Sequence, residues 1–497
     1  MRRNKERKLP GRPNIIVFMT DQQVADTILK ENPTITPNAD RFRNRAVQFE
    51  NAYCPSPHCC PSRATFFTGL YPSEHGVWHN VEVCNAISRG LFEKVKMFPE
   101  ELRENGYRNY FSGKWHVSAF EGPADRGFDV VLREFVSNYG RMEKGYVPHY
   151  EDWEHFYSNA YGIDGWNEKK EFGRIIRPGY PTYYQFGIDE NPFGDRDSVE
   201  LAIEAIKNHN HEEPFFLYAG VTGPHDPYTP PQEFLDLYDI EDIKLPENFL
   251  DKLEKVPALY RRTKEQFKLT EAEHRESLRR YMAFCTFEDY LFGKILDVVE
   301  EEGIEEETII LYLSDHGDYA GAHGLWAKGL PCFREAYHIC AMIGGGGIVS
   351  DFNKENLVSL ADFAPTILEL AGIKPSINFS GQSLVPFLYG KGKNVPWREE
   401  ICTQSNGNEI YGIQRAVWNK EWKYVYNSFD YDELYHISED PREMNNVIHL
   451  PENQEMVKTM CARMWKFARE HKDGCTCPYI MVGLAPYGPG ITLDYPL

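Results

Sequence analysis

Short apolar or aromatic runs alternate with longer amphipathic stretches through residues 1–394, the pattern of α/β units around a large, mainly parallel sheet flanked by helices. Runs at 15–20, 107–112, 215–221 and 309–314 predict central strands. Helical spacing predicts helices over 37–45, 98–105, 198–208 and 279–301, and another over 363–371 behind Asp362. Near Asn394 the texture changes. Residues 417–426 and 433–437 are short, aromatic and β-prone, with Asn419-Lys420 as a turn, so 395–497 reads as a smaller C-terminal α+β subdomain with an antiparallel sheet. Residues 137–197 are dense in Tyr, Trp, Phe, Gly and Pro and lack either period. They read as an insertion that either packs a small core of its own or forms an aromatic wall suited to sugar rings.

Composition narrows the function. The chain has 497 residues, 42% hydrophobic and 26% charged, ordinary values for a folded protein. Its 54 basic against 75 acidic residues leave a net charge of −21, which argues against nucleic acid as a partner and requires any pocket for an anion to be locally basic. The 11 cysteines are odd in number and follow no framework spacing, so a reducing compartment with buried thiols is expected. Neither Cys59-Cys60 nor Cys475-Thr476-Cys477 has the spacing of a structural zinc site. No apolar run approaches the ~18 residues of a membrane span. No hydrophobic segment follows the basic N-terminus, and the expectation is a cytoplasmic protein without membrane attachment.

Ligands of open parallel sheets bind beyond the carboxyl ends of the strands. Four predicted strands end there in reactive side chains: Asp21-Gln22, Lys114-Trp115-His116, Gly223-Pro224-His225 and Asp315-His316. One such ending is ordinarily a cap or a surface charge; four on one edge make a candidate site. Asp21 and Asp315 offer hard oxygen to a divalent cation, Gln22 a carbonyl oxygen and His316 a ring nitrogen.

The stretch from Cys59 to Gly69 carries the most information. Pro61 and Ser62 suit the first turn of a helix, which sets Cys59 just before an N-terminus that favours anions, with Arg63 in reach of an oxyanion. The ordinary reading is a pair of buried thiols in a loop. However, C-x-P-S-R-x-x-x-F-T-G over 59–69 resembles the signature of the type I, formylglycine-dependent sulfatases of the alkaline phosphatase superfamily. Register selects Cys59, which has Pro at +2 and Arg at +4; Cys60 fills the variable position. Thr36–Asp40 through Tyr53, Gly113–His116, His225–Pro231, Ser314–Gly317 with Lys328, and Glu433-Leu434-Tyr435 with Asp440-Pro441 and Glu443 resemble further family segments, in order. Gln22 and His316 stand where Asp and Asn are commoner, a combination similar to the choline-sulfatase and phosphonate monoester hydrolase branches.

The resemblance implies a sulfuric ester hydrolase in which Cys59 is oxidised to formylglycine by a maturase. It implies one divalent cation, calcium before magnesium or manganese, on Asp21, Gln22, Cys59, Asp315 and His316. It casts Lys114 and Lys328 as neutralisers of sulfate, Arg63 as the holder of the nucleophile, His225 as acid and His116 as base. The expected substrate is a small sulfate ester, with sulfated carbohydrate preferred on the aromatic insertion. Phosphonate monoester or choline sulfate hydrolysis, and a scaffold whose cysteine is never modified, are the alternatives.

Overall fold

The computed structural model describes residues 11–83, 86–135, 142–145, 173–175, 183–210, 212–390, 395–408, 410–476 and 486–491. Most of the aromatic stretch at 137–197 therefore lies outside the described residues. Along the chain come β1 (Asn14–Thr20), α1 (Pro37–Arg43), β2 (Ala46–Phe49), α2 (Cys59–Thr68), α3 (Phe98–Glu104), β3 (Arg108–Lys114) and β4 (Val130–Phe135). There follow α4 (Asp195–Asn208), β5 (Phe215–Gly220), α5 (Glu271–Glu301), β6 (Thr308–Ser314), β7 (Ala341–Gly345), β8 (Asp351–Asn353) and α6 (Phe363–Leu370). The eight strands form one sheet in the order β8-β2-β7-β6-β1-β5-β3-β4. Only β7 runs antiparallel to its neighbours, so the mainly parallel expectation holds.

The period-2 alternation of β1 explains its central place. Ile15, Val17 and Met19 enter one core with Phe66, Phe67, Phe98 and Phe363, while Ile16 and Phe18 enter the opposite core with Val199, Phe284 and Phe292. A strand covered on both faces needs apolar side chains at every position, each contributing ~1.5–3 kcal/mol on burial. The helix predicted from 279 starts earlier, at Glu271. Thr270 caps it: its hydroxyl accepts from the Glu273 N–H at 3.2 Å, and Glu273 Oε2 accepts from the Thr270 N–H at 2.8 Å.

The C-terminal subdomain is a meander of β9 (Ile401–Gly407), β10 (Tyr411–Trp418), β11 (Trp422–Asn427) and β12 (Glu433–His436), followed by α7 (Gln454–Glu470). The predicted turn is there: Asn419 Oδ1 accepts from the N–H groups of Glu421 and Trp422, both at 2.8 Å. Alternation again assigns the faces. Val417, Tyr424 and Tyr426 pack on Met460, Cys461 and Trp465 of α7, while Ala416, Trp418 and Val425 join the core of the large sheet. Among the described residues no helix is long and apolar enough to cross a membrane.

Candidate active site

Parallel register brings the two aspartates together. Thr20 is opposite Ser314, so Asp21 and Asp315 leave neighbouring strands side by side. The Asp315 N–H donates to the Thr20 carbonyl at 3.1 Å, and the Asp21 N–H to Gly223 at 3.1 Å. Above them sits the start of α2. Its N-cap is His58 and Cys59 is its first residue, one position further in than predicted, because the Ser62 N–H already closes the first helical turn on His58 at 3.0 Å. Pro61 lies in that turn, where its missing N–H has no helical partner to lose. The Ser62 hydroxyl donates to the Asp315 carbonyl and ties the helix start to the strand end.

Arg63 is fully buried and binds both carboxylates: its Nε reaches Asp315 Oδ2 at 2.9 Å and an NH2 proton reaches Asp21 Oδ2 at 3.0 Å. Its NH1 donates to the Lys114 carbonyl at 3.0 Å and the Tyr218 hydroxyl at 2.8 Å. Four of its five N–H groups are thus committed to holding the frame, which leaves one. Lys114 ends β3 with Nζ 2.7 Å from Asp21 Oδ2. Gly113 permits this approach, since its φ is +101° and a Cβ there would lie 1.9 Å from the Gly220 carbonyl oxygen.

These contacts set the charges. Burial raises the carboxyl of Asp21, but against it Lys114 and Arg63 hold that group well below the usual range. Burial and the charge of Asp21 push Asp315 the other way, upward. Burial also works against a thiolate at Cys59, yet Lys114, Lys328 and His316 bring that thiol well below its ordinary value. The cluster concentrates negative charge around one point.

That point suits a cation. One ligand atom each from Asp21, Cys59, Asp315 and His316 lies within 4.8 Å of all the others. His316 is oriented for ligation: its Nδ1 lies 2.9 Å from the Gly317 carbonyl, which keeps the proton on that side and turns the Nε2 lone pair to Cys59 Sγ at 3.3 Å and Asp21 Oδ1 at 3.6 Å. Gln22, at φ +65°, touches the cluster through its backbone N–H, which donates to Asp315 Oδ1 at 3.1 Å. Its carboxamide faces Lys328, Asp226 and Asp318, so the carbonyl oxygen expected to face the cation instead accepts from Lys328.

The remaining predicted residues flank the nucleophile position. Lys328 Nζ is 2.6 Å from His225 Nε2, and the other ring nitrogen of His225 is 2.6 Å from the Asp226 carbonyl. His116 stands at φ +48° with Nε2 2.6 Å from Glu82 Oε2. Burial opposes charge on that imidazole, but Cys60 and Glu82 lift its pKa well above the ordinary value. All ten predicted site residues therefore gather at one edge of the sheet. Sequence reasoning missed Glu82, Tyr218, Asp226 and Asp318, which sit beside them. Tyr218 lies within a predicted strand, Asp226 fills the variable position of the His225–Pro231 segment, and Glu82 and Asp318 belong to no motif.

Comparison with known proteins agrees with this geometry. The Sulfatase family model matches residues 13–373, and a model described as N-sulphoglucosamine sulphohydrolase, C-terminal, matches 321–470. A choline-sulfatase from Rhizobium meliloti is 29% identical over 458 residues, covering 89% of this chain and 83% of its own. The fold is shared with a solved structure in complex with its substrate D-glucosamine-2-N,6-O-disulfate (TM-score 0.70, 20% identity, 93% of this chain and 99% of that one). It is shared equally with the phosphonate monoester hydrolase from Silicibacter pomeroyi (TM-score 0.74, 20% identity, 94% and 97%).

Proposed function

This chain belongs to the sulfatase family and is a sulfuric ester hydrolase, and from that premise we propose that it works through a formylglycine made from Cys59 and takes a sulfated carbohydrate as substrate. The observation that carries the reading is the place of Cys59: first residue of α2, within ligand distance of Asp21, Asp315 and His316, with Lys114 on the same carboxylate.

The ligand set, three hard or borderline groups beside residue 59, fits a divalent cation, with calcium preferred on the carboxylates. Held there by Asp21, Asp315, His316 and residue 59, a divalent cation would supply Lewis acidity to a sulfate oxygen and to a hydroxyl on residue 59. The residues do the rest. Arg63 fixes Asp21 and Asp315, whose charges would otherwise drive them apart. Lys114 and Lys328 neutralise the sulfate oxygens as sulfur is attacked in line. His225, with Lys328 at its Nε2, delivers a proton to the departing alkoxide. His116, held at Nε2 by Glu82, is in its neutral form a strong base, and in that form it takes the proton of the second hydroxyl at Nδ1, so that the aldehyde re-forms and sulfate leaves. A serine-type sulfate ester would instead wait for attack by water.

Co-expression with a formylglycine-generating maturase, mass spectrometry of the Cys59 peptide and parallel assays on 4-nitrophenyl sulfate and a phosphonate monoester test the proposal. An aldehyde or its hydrate at 59 with sulfate release is expected. A much higher efficiency on the phosphonate reverses the substrate class, and release of sulfate by protein with an unmodified thiol overturns the nucleophile. The carbohydrate reading is supported by the sugar disulfate bound to the solved neighbour. Choline sulfate, the substrate named for the Rhizobium relative, is its competitor.

A further inference from the structure

Beside the cluster opens a cavity of about 360 Å³ whose walls include His58, Gln185, His225, Asp226 and Lys328. His225 and Lys328 mark the end where the sulfate and the departing oxygen sit in the reading above. The alcohol half of the substrate occupies the rest, so the chemistry of that wall selects the alcohol.

Two buried polar groups of the wall meet no hydrogen-bond partner among the described residues. Gln185 is 1% exposed and its Nε2 meets no hydrogen-bond partner among the described residues. Its backbone is pinned on both sides: the N–H donates to the Gly173 carbonyl at 2.8 Å, and the carbonyl accepts from the Tyr228 N–H at 2.8 Å, three residues after His225. The backbone of Gln185 is therefore anchored to the segment that carries His225, and both residues line the same cavity. His58 is 2% exposed, and its Nδ1 also meets no partner among the described residues. A buried donor is costly when it finds no acceptor, and a site built this way rejects ligands that cannot supply one.

The charges point the same way. Among the described lining residues, acidic and basic side chains other than His58 are confined to His225, Asp226 and Lys328 at the sulfate end, and Asp226 already accepts from Gln22 Nε2 at 3.2 Å. Further out the wall is neutral and amphipathic: Asn80, Thr263 and Gln266 alternate with Leu259, Phe267 and Trp326. Amides beside aromatic and aliphatic surface match a ring with hydroxyls on its edge and C–H groups on its face. We propose that the alcohol is an uncharged, hydroxyl-bearing ring, and that Gln185 is the residue that selects it by donating to a hydroxyl oxygen next to the scissile bond, with His58 as the second contact. This rests on the sulfatase reading of the site and names the substrate class within it.

The test uses matured full-length protein with formylglycine verified at 59. Probes are the monosulfates of glucose, galactose and N-acetylglucosamine, choline sulfate and 4-nitrophenyl sulfate. At least one sugar monosulfate should exceed choline sulfate in kcat/KM. In Gln185→Leu, and in the closer isostere Gln185→Met as a guard against misfolding, the ratio of kcat/KM for that sugar to 4-nitrophenyl sulfate should fall about tenfold, mainly through KM. A ratio within about twofold of the parent in both variants overturns the role of Gln185. Choline sulfate as the best substrate overturns the hydroxylated ring, while cleavage of 4-nitrophenyl sulfate would still leave the sulfatase reading standing. If the matured protein cleaves none of the five esters, that reading falls and this inference falls with it.

Discussion

Two arginines are buried beyond the reach of water, one in each half of the molecule, and they do different things. Arg415 of β10 forms a closed pair. Its Nε and NH2 reach the two oxygens of Asp473 at 2.5 and 3.0 Å, and its NH1 donates to the Ser405 and Gln414 carbonyls and to Asn406 Oδ1. Lys423 of β11 repeats the pattern, pairing with Glu443 at 2.8 Å. Arg63, by contrast, is shared between two carboxylates that also crowd a thiol and an imidazole. Buried charge alone does not mark a site, since a closed pair is a structural device whose loss leaves an uncompensated ion. The mark is an imbalance, with like charges forced together at strand ends and ligand atoms converging on one point.

The comparison breaks most sharply under two substitutions. Cys59→Ala should lower kcat on 4-nitrophenyl sulfate by about 10⁴-fold or more, the scale of removing a nucleophile, while leaving the thermal melt nearly in place. Retained sulfate release would sink the assignment. Arg415→Ala should do the reverse. Stranding Asp473 in the interior should cost about 3–5 kcal/mol, read as a lower urea midpoint, with kcat per folded molecule close to the parent. If Arg415→Ala reduced kcat as Cys59→Ala does, the division between the two halves would be wrong.

A cation sharpens the same division. Converging carboxylates should make the sheet edge a binder of calcium, and a ligand present at 100 times its dissociation constant stabilises the folded state by about 2.7 kcal/mol. Melting after chelation should therefore rise when calcium is restored, and Asp315→Asn should shrink that rise. Lys423→Met should leave it unchanged, because its pair with Glu443 lies in the other half. A melt that ignores calcium, magnesium and manganese alike would remove the cation from the mechanism.

Legibility followed the same physics. The strand ends could be read because apolar runs stop abruptly at Asp21, Lys114, His225 and Asp315, and a parallel sheet brings such ends to one edge. Cys59 could be read because Pro61 and Ser62 mark a helix start, although the helix reaches one residue further back than they indicated. The work of Arg63 could not, since nothing in the order of residues shows that most of its donors are taken up by Asp21, Asp315, Lys114 and Tyr218. Glu82 and Asp318 were silent for a related reason. A lone carboxylate in a loop looks solvated until the fold sets it on His116 or on Gln22.

The subtlest difference between the halves concerns protons. Each holds a carboxyl raised by burial to about 7: Asp195 under the His225 loop, and Asp432 beside β11, whose Tyr424 hydroxyl donates to it at 2.6 Å. Asp195 is held against Glu288, itself raised by burial and by that neighbour, and it accepts from the N–H groups of Thr222 and Gly223 at 2.9 and 2.7 Å. In both cases the folded protein keeps a proton that the unfolded chain, with ordinary carboxyls near 3.8, releases. The stability this confers is fully present below about pH 4 and is lost as pH rises through about 7, at up to about 1.4 kcal/mol per pH unit for each whole proton of difference. Glu288→Gln should flatten the part owed to the Asp195–Glu288 pair, and Asp432→Asn the part owed to its own titration, both read from urea midpoints across pH 4 to 8. Activity should separate them. Asp195 holds the backbone just before His225, so Glu288→Gln should also shift the pH profile of kcat, whereas Asp432→Asn should change stability alone. A kcat profile that moves equally in both variants would mean that the C-terminal sheet is tied to the chemistry more closely than its closed ion pairs indicate.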